Sequence, residues 1–281
     1  MTSDLLMSET ADTQASSVIE VQGVSKTFQR SSDSVEALQS VDLEVGHGQF
    51  VTLLGPSGCG KSTLLRIIAG LDSSSSGNVF IDGSRVVDVQ SQLGFMFQNP
   101  VLLEWRTALG NVLLQAEARG MDTSEAERRA RDLLAAVGLV GFEDRYPFEL
   151  SGGMQQRVAI CRALLHDPEI VLMDEPFGAL DAMTREQMNI QLEQLWLDGK
   201  KSVVFVTHSI SEAVLLSDIV VVMSARPGRV VGSVEIDLPR PRGGDKRDRP
   251  RFTEYASGLR DLLESAGAFG ASGTPTLGSR S

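Results

Sequence analysis

The sequence predicts an α/β protein with a parallel-sheet core, an N-terminal antiparallel β subdomain and an inserted helical subdomain. Short apolar runs that end in polar residues, such as 170–174 and 203–207, alternate with helical periodicity, as in a parallel sheet. The strand-like runs before residue 50 have no helix between them, which favours antiparallel pairing. From about residue 99 to residue 158 the periodicity is helical, and this stretch separates two runs of the core.

The N-terminal region is predicted to contain a tail followed by the small antiparallel sheet. Residues 1–17 are rich in Ser, Thr, Asp and Ala with little periodicity, so we expect a disordered tail. Apolar and polar residues alternate at 18–21 and at 41–45, which predicts strands with one exposed face. The apolar run at 50–54 comes after a Gly-His-Gly turn and is predicted to begin the parallel core.

A glycine-rich loop comes after that run and precedes a helical pattern, which is the context of a phosphate-binding loop. Its glycines let successive N–H groups and the helix N-terminus face an anion. Lys61 adds a mobile charge for the β- and γ-phosphates, and the Ser62 hydroxyl can bind Mg²⁺. Phe28, about thirty residues earlier, is either a core side chain or a platform for an adenine ring. The loop consists of Gly55, Pro56, Ser57, Gly58, Cys59, Gly60, Lys61, Ser62 and Thr63.

The predicted helical subdomain, residues 99–158, contains a second glycine-bearing helix start. Ser124 and Glu127 have the spacing of a capping box and predict where one helix begins. At 151–153 a serine and two glycines precede a good helix, and such an N-terminus can bind an anion. By itself this stretch does not specify which anion.

Acidic residues and a histidine come directly after two of the predicted core strands. Asp174 and Glu175 end one run, and His208 ends the other. Because ligands gather at the carboxyl ends of parallel strands, we expect these side chains to lie near the glycine-rich loop.

We expect the globular domain to span residues 18–238 and the rest, residues 239–281, to be a linker, a short helix and a disordered tail. Pro and Arg are frequent at 239–251, where a solvated linker is favoured over a patch that binds lipid or nucleic acid. Apolar spacing near 255–263 predicts the helix, and Gly, Ser and Ala dominate the residues after it.

Composition excludes several classes of function. A net charge of −11 argues against a general nucleic-acid binder. No apolar run approaches the roughly 18 residues that span a bilayer, and the N-terminus lacks the features of a secretory signal. Cys59 and Cys161 have no metal-binding or redox spacing, so reduced thiols in a cytosolic protein are expected.

Six motifs occur in an order that identifies a known family. After the glycine-rich loop come a glutamine, the Ser-Gly-Gly stretch, the two-acid strand end, a Leu-Asp pair and the strand-end histidine. From about residue 18 to residue 236 this order closely resembles the ABC transporter ATPases, which have a RecA-like P-loop NTPase core. The matching residues are Phe28 in the adenine loop, Gln98 in the Q-loop, Ser151, Gly152 and Gly153 in the signature, Asp181 in the D-loop and the switch histidine His208.

The resemblance implies ATP and Mg²⁺ as cofactors and ATP hydrolysis as the reaction. Lys61 would neutralise the phosphates, Glu175 would polarise the attacking water as general base, and His208 would hydrogen-bond the γ-phosphate. The implied metal ligands are Ser62, Gln98 and Asp174.

The resemblance also implies partners. Two cassettes of this family dimerise head to tail, so that the signature of one caps the ATP of the other. The implied partners are therefore a second copy, membrane permease subunits and, indirectly, an extracytoplasmic solute-binding protein, and the implied location is peripheral, at the cytoplasmic face of the inner membrane.

A finer resemblance concerns the solute. Residues 102–108, 226–229 and 238–242 resemble the nitrate/sulfonate/taurine-type importer ATPases, although Glu104 stands where that group often has proline. The ATPase of an exporter with a separate permease and a soluble non-transport ABC ATPase remain alternatives.

Overall fold

The computed structural model describes residues 17–29, 34–178, 180–243 and 250–267. The strands are β1 (Ser17–Gln29), β2 (Ser34–Gly46), β3 (Phe50–Leu54), β4 (Ser76–Ile81), β5 (Ser84–Arg85), β6 (Gly94–Met96), β7 (Ile170–Asp174), β8 (Ser202–Thr207), β9 (Ile219–Met223) and β10 (Val230–Glu235). The helices are α1 (Lys61–Ile68), α2 (Ala108–Arg119), α3 (Thr123–Ala136), α4 (Gly152–Leu164), α5 (Ala182–Gly199), α6 (Ile210–Leu216) and α7 (Pro250–Ser265), with a 3-10 turn at Pro147–Glu149.

The larger sheet has six strands in the order β10–β9–β3–β8–β7–β6. Its strands are parallel, except that β10 pairs antiparallel with β9. Every residue of β3, β7 and β8 is buried, because helices α4–α7 cover one face and α1 with the smaller sheet covers the other. The predicted α/β fold with a parallel core is confirmed.

The smaller sheet is antiparallel and has the order β2–β1–β4–β5, as predicted for the N-terminal subdomain. Ser17, the last residue of the predicted tail, is already the first residue of β1. The rest of that predicted tail, residues 1–16, lies outside the described residues.

Helices α2, α3 and α4 pack around an apolar cluster of their own, which includes Val112 and Leu134. This cluster lies in the part of the chain where the helical insert was predicted. The cap of α3 differs from the prediction, since Asp122 is the N-cap and accepts from the Glu125 N–H at 2.9 Å. Ser124 instead donates to that carboxylate at 2.7 Å. Asp and Ser cap helices about equally well, so the sequence pattern could not choose between neighbours.

The turn at residues 226–229 joins the two sheets. The Gly228 N–H donates to the Ala37 carbonyl of β2, and the Gln39 N–H donates to the Gly228 carbonyl, each at 2.9 Å. A Cβ on Gly228 would lie 1.9 Å from the Cys59 carbonyl oxygen, so only glycine allows this approach to the loop after β3.

The segment 238–243 is not the solvated linker that its composition predicted. The buried Arg242 guanidinium donates to four backbone carbonyl groups, and burial lowers the pKa of Arg242 to about 10. The N–H groups of Arg242 and Gly243 donate to the Glu193 carboxylate at 2.6 and 3.0 Å. The carbonyl partners include Val214 and Ser217 near the end of α6, far away in sequence, so local composition could not reveal them.

Beyond this segment, α7 is longer than the helix predicted near 255–263 and packs Leu259 and Leu263 into the core. The other C-terminal predictions fall on residues 244–249 and 268–281, which lie outside the described residues. Within the ranges that are described, no helix combines the length and the apolar character needed to cross a membrane.

Two glycine-to-alanine substitutions should change stability in opposite directions. Gly258 is exposed within α7 and a Cβ there meets nothing within 4 Å, so Gly258→Ala should raise the free energy of unfolding by about 1 kcal/mol. Gly228→Ala should lower it by about 1–3 kcal/mol through overpacking. Urea titration of both variants measures the effect, and equal stability of the two would contradict the packing described for the 226–229 turn.

Candidate functional site

The loop between β3 and α1 turns back over the sheet edge. Gly58 and Gly60 have φ angles of 76° and 102°, which residues other than glycine rarely adopt. Lys61 opens α1 and is 3% exposed; its ammonium group donates to the carbonyl oxygens of Gly55 and Pro56 at 2.8 and 2.9 Å. The first turn of α1 contains no acid, so the positive end of its dipole is available to an anion.

Ser62 and Asp174 make a pair of oxygen donors beneath this loop. The Ser62 hydroxyl donates to Asp174 Oδ1 at 2.6 Å, and Asp174 is buried. Burial raises the pKa of the Asp174 carboxyl, since the loss of solvent contact disfavours its charged form. A hydroxyl and a carboxylate in contact are hard oxygen ligands, so these two residues fit Mg²⁺.

Gln98 forms no hydrogen bond with either residue of this pair. Gln98 stands two residues beyond β6 with an exposed side chain, and no described residue hydrogen-bonds that side chain. Its backbone carbonyl accepts from Gln156 at 3.2 Å. Its assignment as a metal ligand therefore stays a prediction.

Glu175 lies between the two other groups predicted to be catalytic. Its Oε2 atom is 3.2 Å from His208 Nδ1, and its Oε1 atom is 3.8 Å from Lys61 Nζ. The Glu175 N–H donates to the Val206 carbonyl at 3.0 Å, and its φ of 43° is uncommon for a residue other than glycine. The backbone thus holds a carboxylate at the mouth of the predicted phosphate-binding loop.

A cavity of about 270 Å³ connects these groups to the smaller sheet. Phe28 is 41% exposed at its edge, with the Lys26 ammonium 4.9 Å from the ring centroid, so Phe28 is not an ordinary core side chain. Cys59 belongs to the loop, and its thiol is buried. Residues that line the cavity are Phe28, Val35, Ala37, Gly58, Gly60, Lys61, Ser62, Thr63, Glu175 and Arg226.

The predicted signature and D-loop residues lie outside this cavity. Ser151 caps α4 and is exposed with Gly152, whereas Gly153 is buried, and a Cβ there would lie 2.8 Å from Thr184 of α5. Asp181 caps α5, and its hydrogen bonds to Thr184 lower its pKa. The structure therefore does not bring these residues to the chain's own phosphate-binding loop.

Two side chains at the site were not predicted from the sequence. Gln156 of α4 donates to the Gln98 carbonyl and to the Pro176 carbonyl, which links the loops after β6 and β7. Arg226 donates from Nε and Nη2 to the Gly58 carbonyl at 3.2 and 3.1 Å and lines the cavity. An Arg-Pro-Gly turn directly after a core strand was the available signal for Arg226, because strand ends of this sheet gather at the site.

Residues 38–178 match the family model described as ABC transporter. The chain is 50% identical to an uncharacterised ABC transporter ATP-binding protein of Methanocaldococcus jannaschii, over 88% of this chain and 91% of that protein. It is 45% identical to the aliphatic sulfonates import ATP-binding protein SsuB of Bacillus cereus (80% and 88% covered). It is 46% identical to the taurine import ATP-binding protein TauB of Rhizobium johnstonii (83% and 90% covered).

Solved structures of ABC cassettes have the same fold. A dimeric ABC transporter cassette matches with a TM-score of 0.71 at 36% identity, over 79% of this chain and all of that one. A dimeric post-hydrolysis state of the cassette, bound to ADP and Pi, matches with a TM-score of 0.70 at the same identity and coverage.

Replacement of Arg226 should weaken nucleotide binding. Arg226→Ala removes a guanidinium that touches the phosphate-binding loop and faces the cavity, so we expect the Kd for ATP to rise about tenfold, or about 1.4 kcal/mol. Isothermal titration measures this. Arg229→Ala is the matched control, because Arg229 is an exposed arginine of the same turn that does not line the cavity. Equal affinities of the two variants for ATP would contradict a contribution of Arg226 to nucleotide binding.

Proposed function

Because the chain belongs to the ABC transporter family, we propose that it is the ATP-binding and ATP-hydrolysing subunit of an importer that takes up a small solute of the sulfonate type. The proposal is carried by one observation: Glu175, His208 and Lys61 meet at the mouth of a phosphate-binding loop. A general base, a hydrogen-bond donor and a phosphate-binding cation are the groups that phosphoryl transfer to water requires.

The phosphate-binding loop would hold the nucleotide through backbone N–H groups and Lys61. In the structure Lys61 satisfies its ammonium group with the carbonyl oxygens of Gly55 and Pro56. The β- and γ-phosphates are stronger acceptors, so Lys61 would turn toward them on binding. Phe28 would stack against the adenine, since its exposed ring lies at the far edge of the same cavity.

Ser62 and Asp174 would hold Mg²⁺, and Gln98 would complete the ligand set. The bound metal would supply charge neutralisation on the β- and γ-phosphates. The burial of Asp174 and its contact with the Ser62 hydroxyl support this role, because a bound cation would offset the cost of burying the carboxylate.

Glu175 would accept a proton from the attacking water and orient that water toward the γ-phosphate. His208 Nδ1 lies 3.2 Å from the Glu175 carboxylate, and a ring protonated on both nitrogens would donate to that carboxylate from Nδ1 and to a γ-phosphate oxygen from Nε2. Lys61 would stabilise the charge that develops on the transferring group.

A second copy of the chain would complete the site. Ser151 and Gly152 are exposed at the N-terminus of α4, outside the chain's own cavity, and Asp181 is exposed at the start of α5. Such a helix N-terminus is a ready anion site. The similar cassettes were solved as dimers, which supports a homodimer in which these residues reach the nucleotide of the partner.

The transported solute would be a small compound with a sulfonate group, taken up through a separate membrane permease that is supplied by an extracytoplasmic binding protein. The relatives named for aliphatic sulfonate and taurine import support this class over the exporter and the soluble ATPase. The chain itself would then be a peripheral subunit at the cytoplasmic face of the inner membrane.

Glu175→Gln tests the catalytic role. The substitution keeps the shape of the side chain but removes the base, so we expect ATP binding to persist, hydrolysis to fall about 100- to 10,000-fold, and an ATP-bound dimer to accumulate. Phosphate release and size-exclusion chromatography measure the two effects. Glu169→Gln is the matched control, since Glu169 is exposed just before β7, at the opposite end of the strand. Undiminished hydrolysis by Glu175→Gln would contradict the assignment.

Uptake measurements test the solute class. Cells of the source organism that lack this chain should lose ATP-dependent uptake of radiolabelled taurine or an alkanesulfonate, and the wild-type chain should restore it, whereas Glu175→Gln should not. Retained sulfonate uptake together with lost uptake of another anion would leave the ATPase role intact and overturn the solute assignment.

A further inference from the structure

One buried carboxylate, Glu212, lies behind the candidate active site without touching it. Glu212 is 5% exposed on α6, and burial raises the pKa of its carboxyl. A buried carboxylate is costly unless both of its oxygens have partners. Its partners lead to two different loops.

The first partner lies next to His208. The Thr207 hydroxyl donates to Glu212 Oε2 at 2.5 Å and accepts from the Ser209 N–H at 3.0 Å. Ser209 in turn caps α6 by accepting the Glu212 N–H at 3.3 Å. The residues before and after His208 are therefore both fixed through Glu212.

The second partner is Arg185 of α5, whose Nε atom lies 3.8 Å from Glu212 Oε1. The Arg185 guanidinium also donates to the carbonyl groups of Phe177 and Leu180, at 3.2 and 2.9 Å. These carbonyls belong to the loop that leads from Glu175 to Asp181. Arg185 thus fixes the loop that begins with the proposed base.

We propose that Arg185 and Glu212 are positioning residues that hold the loop after β7 and the loop after β8 in fixed positions relative to each other. This arrangement would keep Glu175 and His208 in contact during ATP hydrolysis. This inference rests on the proposed function. The two loops come from neighbouring strands, and among the contacts of the described residues the Arg185–Glu212 pair joins them on the side away from the cavity. Arg185 belongs to α5, and Asp181 is the N-cap of that helix. The pair therefore also connects the two loops to Asp181, which is part of the proposed dimer contact.

The test combines two conservative variants with steady-state kinetics. Glu212→Gln keeps the size but weakens the pairing with Arg185, and Arg185→Lys keeps the charge but loses the planar fork that holds two carbonyls. Each should lower kcat for ATP about 10- to 100-fold through misplacement of the reacting groups, while KM stays within about twofold, because the phosphate-binding loop is untouched. The double variant should be no worse than the poorer single variant, as expected for residues that act as one unit.

Glu193→Gln is the matched control. Glu193 is also a buried acid that accepts two hydrogen bonds, and it lies on the same helix as Arg185, but at the end far from the site. It should lose stability on thermal unfolding without a loss of kcat. If Glu212→Gln and Arg185→Lys reduce kcat no more than Glu193→Gln does, at a temperature where all are folded, the positioning role is wrong.

A second measurement separates this inference from the proposed function. Hydrogen exchange without nucleotide should be faster at residues 175–183 and 207–212 in both variants and unchanged there in Glu193→Gln. If the wild-type chain does not hydrolyse ATP, the proposed function fails, and the exchange pattern still decides whether the pair couples the loops. Faster exchange in only one of the two loops would overturn the coupling.

Discussion

The register of three parallel strands is the constraint on which the site depends. Leu54 of β3 pairs with Thr207 of β8, and Val206 of β8 pairs with Asp174 of β7, so the three strands end within one residue of each other. The next residue of each strand therefore falls at one edge of the sheet: the first glycine of the phosphate-binding loop, Glu175 and His208. A shift of one residue in either pairing would turn every side chain of the strand to the opposite face. Both faces of these strands are packed into apolar clusters, so such a shift would have to repack both faces at once, and the packed core thereby fixes the geometry of the chemistry.

The same constraint explains why three charged side chains can lie close together where solvent hardly reaches them. Lys61, Asp174 and Glu175 are all largely shielded, and each has a polar partner: backbone carbonyl groups for Lys61, the Ser62 hydroxyl for Asp174 and the His208 ring for Glu175. The lysine is satisfied by carbonyl groups and the aspartate by a serine hydroxyl, so neither needs a ligand to remain folded in place. Such pre-organisation lets binding replace weaker neutral acceptors by charged phosphate oxygens without a rearrangement of the main chain.

Much of this could be predicted from the sequence, because strands buried on both faces are apolar throughout and end abruptly in polar residues. Asp174, Glu175 and His208 were predicted from such strand ends, Lys61 and Ser62 from the glycine-rich loop, and Phe28 from its position before that loop. All six lie at or beside the cavity. The features that the sequence did not predict depend on contacts between distant segments. The approach of Gly228 to the loop after β3 and the partners of Arg242 involve residues far apart in the chain. The choice of Asp122 over Ser124 as a cap depends on local geometry for which both residue types are equally suited.

The buried segment at 238–243 has a consequence for where the folding unit ends. A shorter chain cut after β10 would retain every motif of the site, yet it would leave the Glu193 carboxylate in the core without the two N–H groups that now satisfy it. It would also uncover the indole of Trp196, over which the Arg240 guanidinium lies 4.1 Å from the ring centroid. A Glu193 carboxylate left buried without its hydrogen-bond donors would cost several kcal/mol, which is a large part of the stability of an ordinary domain. The folding unit therefore extends to the residues that bond Glu193 of α5. A chain trimmed to the motifs alone would lose the N–H groups of Arg242 and Gly243 that hydrogen-bond this glutamate.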